Sequence, residues 1–198
     1  MSEAAITRVG RVGRWEPDAR GRLMAAAIEL YADGGFEQTT VADLAARAGV
    51  SERTFFRHFT DKREVLFDGS ATLQRMVLEA IAAAPPELPP VDVVAGAFIA
   101  AAPLLESRGE FAPRRANAIA TNPSLQERES LKMVTLAAAA ADALRARGVP
   151  DPAAGLAAEA GVTVFHYGFQ KWVTDAGGGL ADCIRETLAA LKALTGGG

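Results

Sequence analysis

The stretch from Thr40 to Lys62 leaves this chain few folds to choose from. Thr40 stands just before an apolar-periodic run and Asp43 follows three residues later, the pattern of a capping box. Val41, Leu44, Ala45 and Ala48 fall at helical spacing, and Gly49 stops the run where a left-handed residue is needed. Ser51 caps a second helix, with Phe55 and Phe59 as its buried side. Asp61 and Glu64 offer a further box for the next helix. Two short helices joined by a tight turn containing Gly make a helix-turn-helix, whose second helix can enter the major groove of DNA.

The outer side of that second helix carries the chemistry. With Phe55 and Phe59 facing inward, Arg53, Thr54 and Arg57 fall on the far side, and Phe56 and His58 flank them. Arginine can bond two acceptors on a guanine edge, and threonine can touch a base or a thymine methyl. Two arginines alone are an ordinary solvated face. Here a capped turn, aromatic anchors and a basic outer face agree, and together they favour DNA reading.

The same residues resemble the DNA-binding domain of the TetR family of bacterial transcriptional regulators. The matching features are Thr40-Val41, Leu44-Ala45, the run Ala48-Gly49-Val50-Ser51, then Thr54, Phe55, His58-Phe59 and Lys62. The lead-in Gly34-Gly35-Phe36-Glu37-Gln38-Thr39-Thr40 matches as well, and the likeness is dense from about Ala19 to Leu66. It implies phosphate contacts at Thr40, Ser51, His58 and Lys62, and base-edge contacts at Glu52, Arg53, Thr54 and Arg57. Position 56 is often Tyr in the family, with a hydroxyl that reaches a phosphate. Phe56 lacks that hydroxyl and can only pack on sugar or a thymine methyl. Glu52 can accept from a cytosine amino group or favour the helix N-terminus as a negative charge.

Composition would not have suggested DNA. The 198 residues carry a net charge of −3, with 49% hydrophobic and 23% charged residues, which is ordinary for a globular chain. Residues 1–63 hold 10 Lys+Arg against 9 Asp+Glu, and residues 64–198 hold 11 against 15, so a local face has to do the binding. The lone Cys183 and the lack of a signal-peptide pattern predict a cytoplasmic protein without disulfides, with Cys183 as core filler. Apolar runs such as Leu136 to Ala141 are too short to span a bilayer, so no membrane is expected. The two His and one Cys, with no metal-spaced cluster, phosphate loop or nucleophile motif, predict no metal, no cofactor and no enzyme.

The expected fold is all-α, with about nine helices. Residues 1–16 read as a basic arm holding Arg8, Arg11 and Arg14, either an incidental tail or an aid to DNA binding. Residues 17–63 form the helix-turn-helix domain, its first helix striped by Leu23, Ala27, Leu30 and Tyr31, and residues 64–198 form an effector-binding and dimerisation domain. A fourth helix is expected from Asp61, bent at Gly69, bridging the two. Helices are then predicted over Val91 to Ser107 with Pro103 as a kink or break, Phe111 to Ala120, Ser124 to Arg147, Pro152 to Thr174 and Leu180 to Leu194.

The last two helices supply a candidate dimer interface: Gly161, Phe165, Gly168 and Trp172 on one, Ile184, Leu188 and Leu191 on the other. Packing of both faces inside one chain is the alternative, and the resemblance implies the dimer. A palindromic operator on double-stranded DNA needs two recognition helices about 34 Å apart, or a multiple of that. The resemblance also implies a small-molecule effector among the middle helices. Candidate lining residues are Phe98, Phe111, Arg115, Ile119, Met133, Phe165, His166 and Phe169, with Arg114 and Tyr167 as further polar groups. The expected protein is a homodimeric repressor released from its operator by a hydrophobic effector. The alternatives are a DNA-binding dimer with no effector, and an activator.

Overall fold

The computed structural model describes residues 18–109, 111–175 and 178–196. The basic arm falls outside them. Among the described residues there are nine helices and no strand. They are α1 (Ala19–Asp33), α2 (Val41–Arg47), α3 (Glu52–His58), α4 (Ser70–Ala83), α5 (Pro90–Glu106), α6 (Phe111–Ala120), α7 (Pro123–Ala146), α8 (Ala153–Thr174) and α9 (Leu180–Thr195).

The N-terminal helices form by the signals that punctuate them. Thr40 Oγ1 accepts from the Asp43 amide at 3.1 Å while Asp43 Oδ2 accepts from the Thr40 amide at 2.9 Å, a closed capping box of about 1 kcal/mol. Gly49 takes a φ of 67°, which only glycine adopts without strain, and the chain turns into α3. Ser51 Oγ caps α3 through the Thr54 amide at 3.1 Å. Leu23, Leu44, Phe55 and Phe59 bury together with Tyr31 and Phe36, whose rings meet edge-on at 5.1 Å.

The fourth helix starts later than the sequence predicts. Residues 61–69 form successive turns, with Leu66 and Phe67 amides bonding back three residues to Arg63 and Glu64. Gly69, at a φ of 84°, precedes α4 rather than bending it. The reason is tertiary. Val65, Leu66 and Phe67 are all buried in the N-terminal core, and Arg115 and Arg108 take the Leu66 and Asp68 carbonyls that a helix would use for its own bonds. Pro103 lies inside the single helix α5 and does not split it.

A second core joins α4, α5, α7, α8 and α9. The two cores meet where Ala118, Ile119 and Leu125 of α6 and α7 enter the N-terminal cluster. Cys183 is buried, and burial pushes its thiol upward, as expected of a packing residue.

The structure reassigns much of the predicted dimer face. A Cβ on Gly161 would fall 2.4 Å from Val94 Cγ1, and one on Gly168 would fall 3.0 Å from Ile184 Cα. Both glycines therefore let helices of the same chain approach closely. Phe165 stacks on Phe98 with centroids 4.3 Å apart, and Ile184 is fully buried. Trp172, Leu188 and Leu191 are half-buried against the same core. The large apolar residues left outside on α8 and α9 are Leu156, Tyr167 and Leu194.

Candidate nucleic-acid interface and cavity

Helix α3 presents one side to solvent. Glu52, Arg53, Phe56 and Arg57 are exposed, with Phe56 at 57%, while Phe55 is wholly buried behind them. Neither Arg53 nor Arg57 forms an ion pair among the described residues, so both guanidiniums have their donors available. Thr54 is half-buried, its hydroxyl 3.0 Å from Ser51 Oγ at the helix start. Thr40 is exposed at the α2 N-terminus. The base-reading candidates Glu52, Arg53 and Arg57 and the phosphate-reading candidates Thr40 and Ser51 are thus all accessible.

Two predicted phosphate contacts look elsewhere. Lys62 Nζ donates to the carbonyls of Phe36 at 2.8 Å, Glu37 at 3.3 Å and Thr39 at 2.9 Å, and sits 4.3 Å above the Phe36 ring. Three protons are spent on three carbonyls, so Lys62 staples the loop that leads into α2. His58 has its Nε2 buried without a hydrogen-bond partner, turned away from the outer face.

A cavity of about 740 Å³ lies between the helix-turn-helix unit and the helices after it. Six predicted lining residues border it: Phe111, Arg115, Met133, Phe165, His166 and Phe169. Two do not. Phe98 is sealed in the core beneath Phe165, and Ile119 packs into the N-terminal cluster.

The other wall went unread in the sequence. Asp18, the N-cap of α1, and Gly21, Met24, Ala25 and Ile28 within it line the cavity, as do Val65, Leu66, Asp68 and Gly69. The signal was present: Met24 and Ile28 give α1 a second apolar stripe beside the one through Leu23 and Ala27.

Polar groups tie the two walls together. Arg115 Nε donates to the Leu66 carbonyl at 2.7 Å, and its Nη2 pairs with Glu129 at 2.9 Å. Arg128 Nε meets Glu64 Oε1 at 2.6 Å, with Lys132 Nζ 3.6 Å from the other oxygen. The bonded Arg128 guanidinium outweighs burial and, helped by Lys132, holds the Glu64 carboxyl below its ordinary range. Arg108 Nη1 donates to the Asp68 carbonyl at 3.0 Å. Among the described residues no group of His, Cys, Asp and Glu could hold a metal ion.

Comparison with known proteins fits this arrangement. Residues 23–68 match the model of bacterial regulatory proteins of the tetR family, and residues 88–195 match that of the MftR C-terminal domain, which alone covers over half of the 198-residue chain. The chain belongs to the TetR family. It is a transcriptional regulator with a DNA-binding helix-turn-helix followed by an MftR-type C-terminal domain.

TetR-family relatives resemble it most within short stretches. The regulator TcmR of Streptomyces glaucescens is 37% identical over 79 residues, 40% of this chain and 35% of that protein. The transcriptional activator FasR of Mycolicibacterium smegmatis is 38% identical over 60 residues, 30% of this chain and 26% of that protein. The chain thus spans only about a quarter to a third of the length of these relatives. Thermus thermophilus FadR, a TetR-family repressor solved with lauroyl-CoA, superposes with a TM-score of 0.54 at 25% identity, covering 87% of this chain and 92% of that one. NalD, a repressor of a multidrug efflux pump in Pseudomonas aeruginosa, shares the fold at a TM-score of 0.58 and 16% identity, with 87% and 93% coverage.

Proposed function

We propose that this TetR-family regulator is a homodimeric repressor, released from a palindromic operator when a small, largely hydrophobic effector fills the cavity. One observation carries the reading: the cavity is walled on one side by the helix-turn-helix unit itself, through α1 and residues 65–69, and on the other by α5 to α8. A ligand there touches both bodies at once. It favours whichever relative placement of the two gives it the better contacts, and linkage then makes DNA and effector oppose each other. A coupling of about 3 kcal/mol is enough to empty most operators held near their binding constant. The route runs through α1, the turn segment at residues 65–69 and α4, all of which border the cavity.

In this mechanism Arg53, Thr54 and Arg57 read base edges, Phe56 packs on a sugar or thymine methyl, and Thr40 and Ser51 anchor phosphates. Glu52 meets a cytosine amino group or the helix N-terminus. Lys62 and His58 act from behind. The second recognition helix comes from a second copy, docked through the outer sides of α8 and α9. Lys171 of α8 pairs with Glu186 of α9, and one turn from that pair in each helix lie Tyr167 and Ala190, followed by Thr163 and Leu194. Leu156 extends the same stripe of α8, and antiparallel helix pairs of this kind assemble as a four-helix bundle. No single helix among the described residues is long and apolar enough to cross a membrane. The proposal places the protein in the cytoplasm with its DNA.

Small molecules that copurify with the protein, identified by mass spectrometry, test the release step. A cavity-bound compound should weaken binding to a selected operator duplex. An operator affinity unchanged by saturating compound would contradict release. Sedimentation tests the assembly: Tyr167→Glu should shift the dimer to monomer, and an unshifted dimer would place the interface elsewhere. The likeness to the activator FasR keeps activation as a second reading, decided by whether transcription falls or rises when the gene is deleted.

A further inference from the structure

We infer that Arg108 is the anion anchor of the cavity, which makes the effector an amphiphile with an apolar body and one acidic head, carboxylate or phosphate. The inference rests on the cavity being the effector site and adds the ligand class.

The neighbouring cations each have a carboxylate. Arg20 pairs with Asp68, Arg115 with Glu129, and Arg128 and Lys132 share Glu64. Arg108 lines the same cavity and forms no ion pair among the described residues. Among the described residues its guanidinium makes one hydrogen bond, to the Asp68 carbonyl, which leaves the other donors of the fork unspent there. The bond to the Asp68 carbonyl orients the group over Gly69, where a Cβ would lie 2.0 Å from Arg108 Nη2 and crowd the guanidinium out of this position. Burial, followed by the nearby charge of Arg115, disfavours its charged form more than the Asp68 carboxylate, already paired with Arg20, supports it. An anion arriving beside it relieves both effects and gains charge-assisted hydrogen bonds. Apolar wall is supplied by Met24, Ile28, Leu105, Phe165 and Phe169, while the carboxylates Asp68 and Glu129 on the cavity wall are already paired with Arg20 and Arg115. One charged end and a long apolar remainder match a ligand with one acidic head.

Calorimetric titration of the full chain with decanoate, decyl phosphate and decanol tests this. One or both anions should bind about tenfold or more tightly than decanol. Arg108→Gln, which can still donate to the Asp68 carbonyl, should abolish that gap while leaving decanol affinity in place, and Arg108→Lys should keep most of it. Which anion binds tighter names the head group. Decanol binding as tightly as both anions would overturn the anchor and leave the cavity a ligand site. A gap that survives Arg108→Gln would also overturn it. If none of the three binds, the effector reading falls with it. Should Arg108→Gln not fold, the wild-type comparison and Arg108→Lys still decide.

Discussion

Gly161 of α8 and Val94 of α5 approach more closely than any side chain at position 161 would permit. A Cβ there would lie 2.6 Å from Val94 Cβ, an atom that no rotamer change can move away. Glycine inside a helix costs about 1 kcal/mol against alanine, so the contact has to return at least that much. Gly161→Ala should therefore lower stability by about 1–3 kcal/mol despite its better helix propensity. Pairing it with Val94→Ala, which removes the Cγ1 contact and keeps the Cβ one, should cost less than the sum of the two single changes, as expected for residues in contact. Urea denaturation of the four proteins checks it. A Gly161→Ala protein as stable as the parent but weaker as a dimer would return Gly161 to an intermolecular interface.

Lys62 separates a structural role from a DNA-binding one. With Nζ bonded to three carbonyls, Lys62→Met should lower stability by about 2 kcal/mol, the range for hydrogen bonds to a charged group. The salt dependence of DNA binding by the folded fraction should not change. A slope shallower by about one unit would instead show that Lys62 reaches a phosphate in the complex.

Acid should loosen the junction between the two bodies. Glu64 ordinarily titrates at 4.5, and the bonded Arg128 with nearby Lys132 lowers this in the folded protein. A depressed carboxyl adds stability above its unfolded value and loses it as pH falls through the folded one. The stability difference between the parent and Glu64→Gln should thus be full at pH 6–7 and shrink as pH drops below 4.5. Denaturant midpoints across pH 3 to 7 measure it. A difference independent of pH would contradict the ion pairing.

Where side chains announce backbone geometry, the sequence was readable. The Thr40–Asp43 box, Gly49, the Pro85-Pro86 and Pro89-Pro90 loop and Gly148 with Pro150 bracket helices that lie within a residue or two of their expected ends. The segment from Asp61 to Gly69 was not readable, because its helix-forming composition yields to distant side chains, Arg115 and Arg108, that bond the Leu66 and Asp68 carbonyls. Gly161 and Gly168 show another limit. A stripe of small residues says that something comes close, and not whether it belongs to the same chain. The cavity was half legible for a related reason: Phe111, Met133 and Phe169 stand out as large residues on middle helices, whereas Gly21 and Ala25 contribute a wall by being small.

The central claim is that the open side of α3, with Arg53 and Arg57 outward and Phe55 behind, reads base pairs. Fluorescence anisotropy with a duplex selected from random sequence and with a scrambled duplex tests it most directly, in parent and Arg53→Ala proteins. The parent should prefer the selected duplex by about a thousandfold or more. Arg53→Ala should lose about 1–3 kcal/mol on the selected duplex and far less on the scrambled one. No preference in the parent, or an equal loss on both duplexes, would contradict the account.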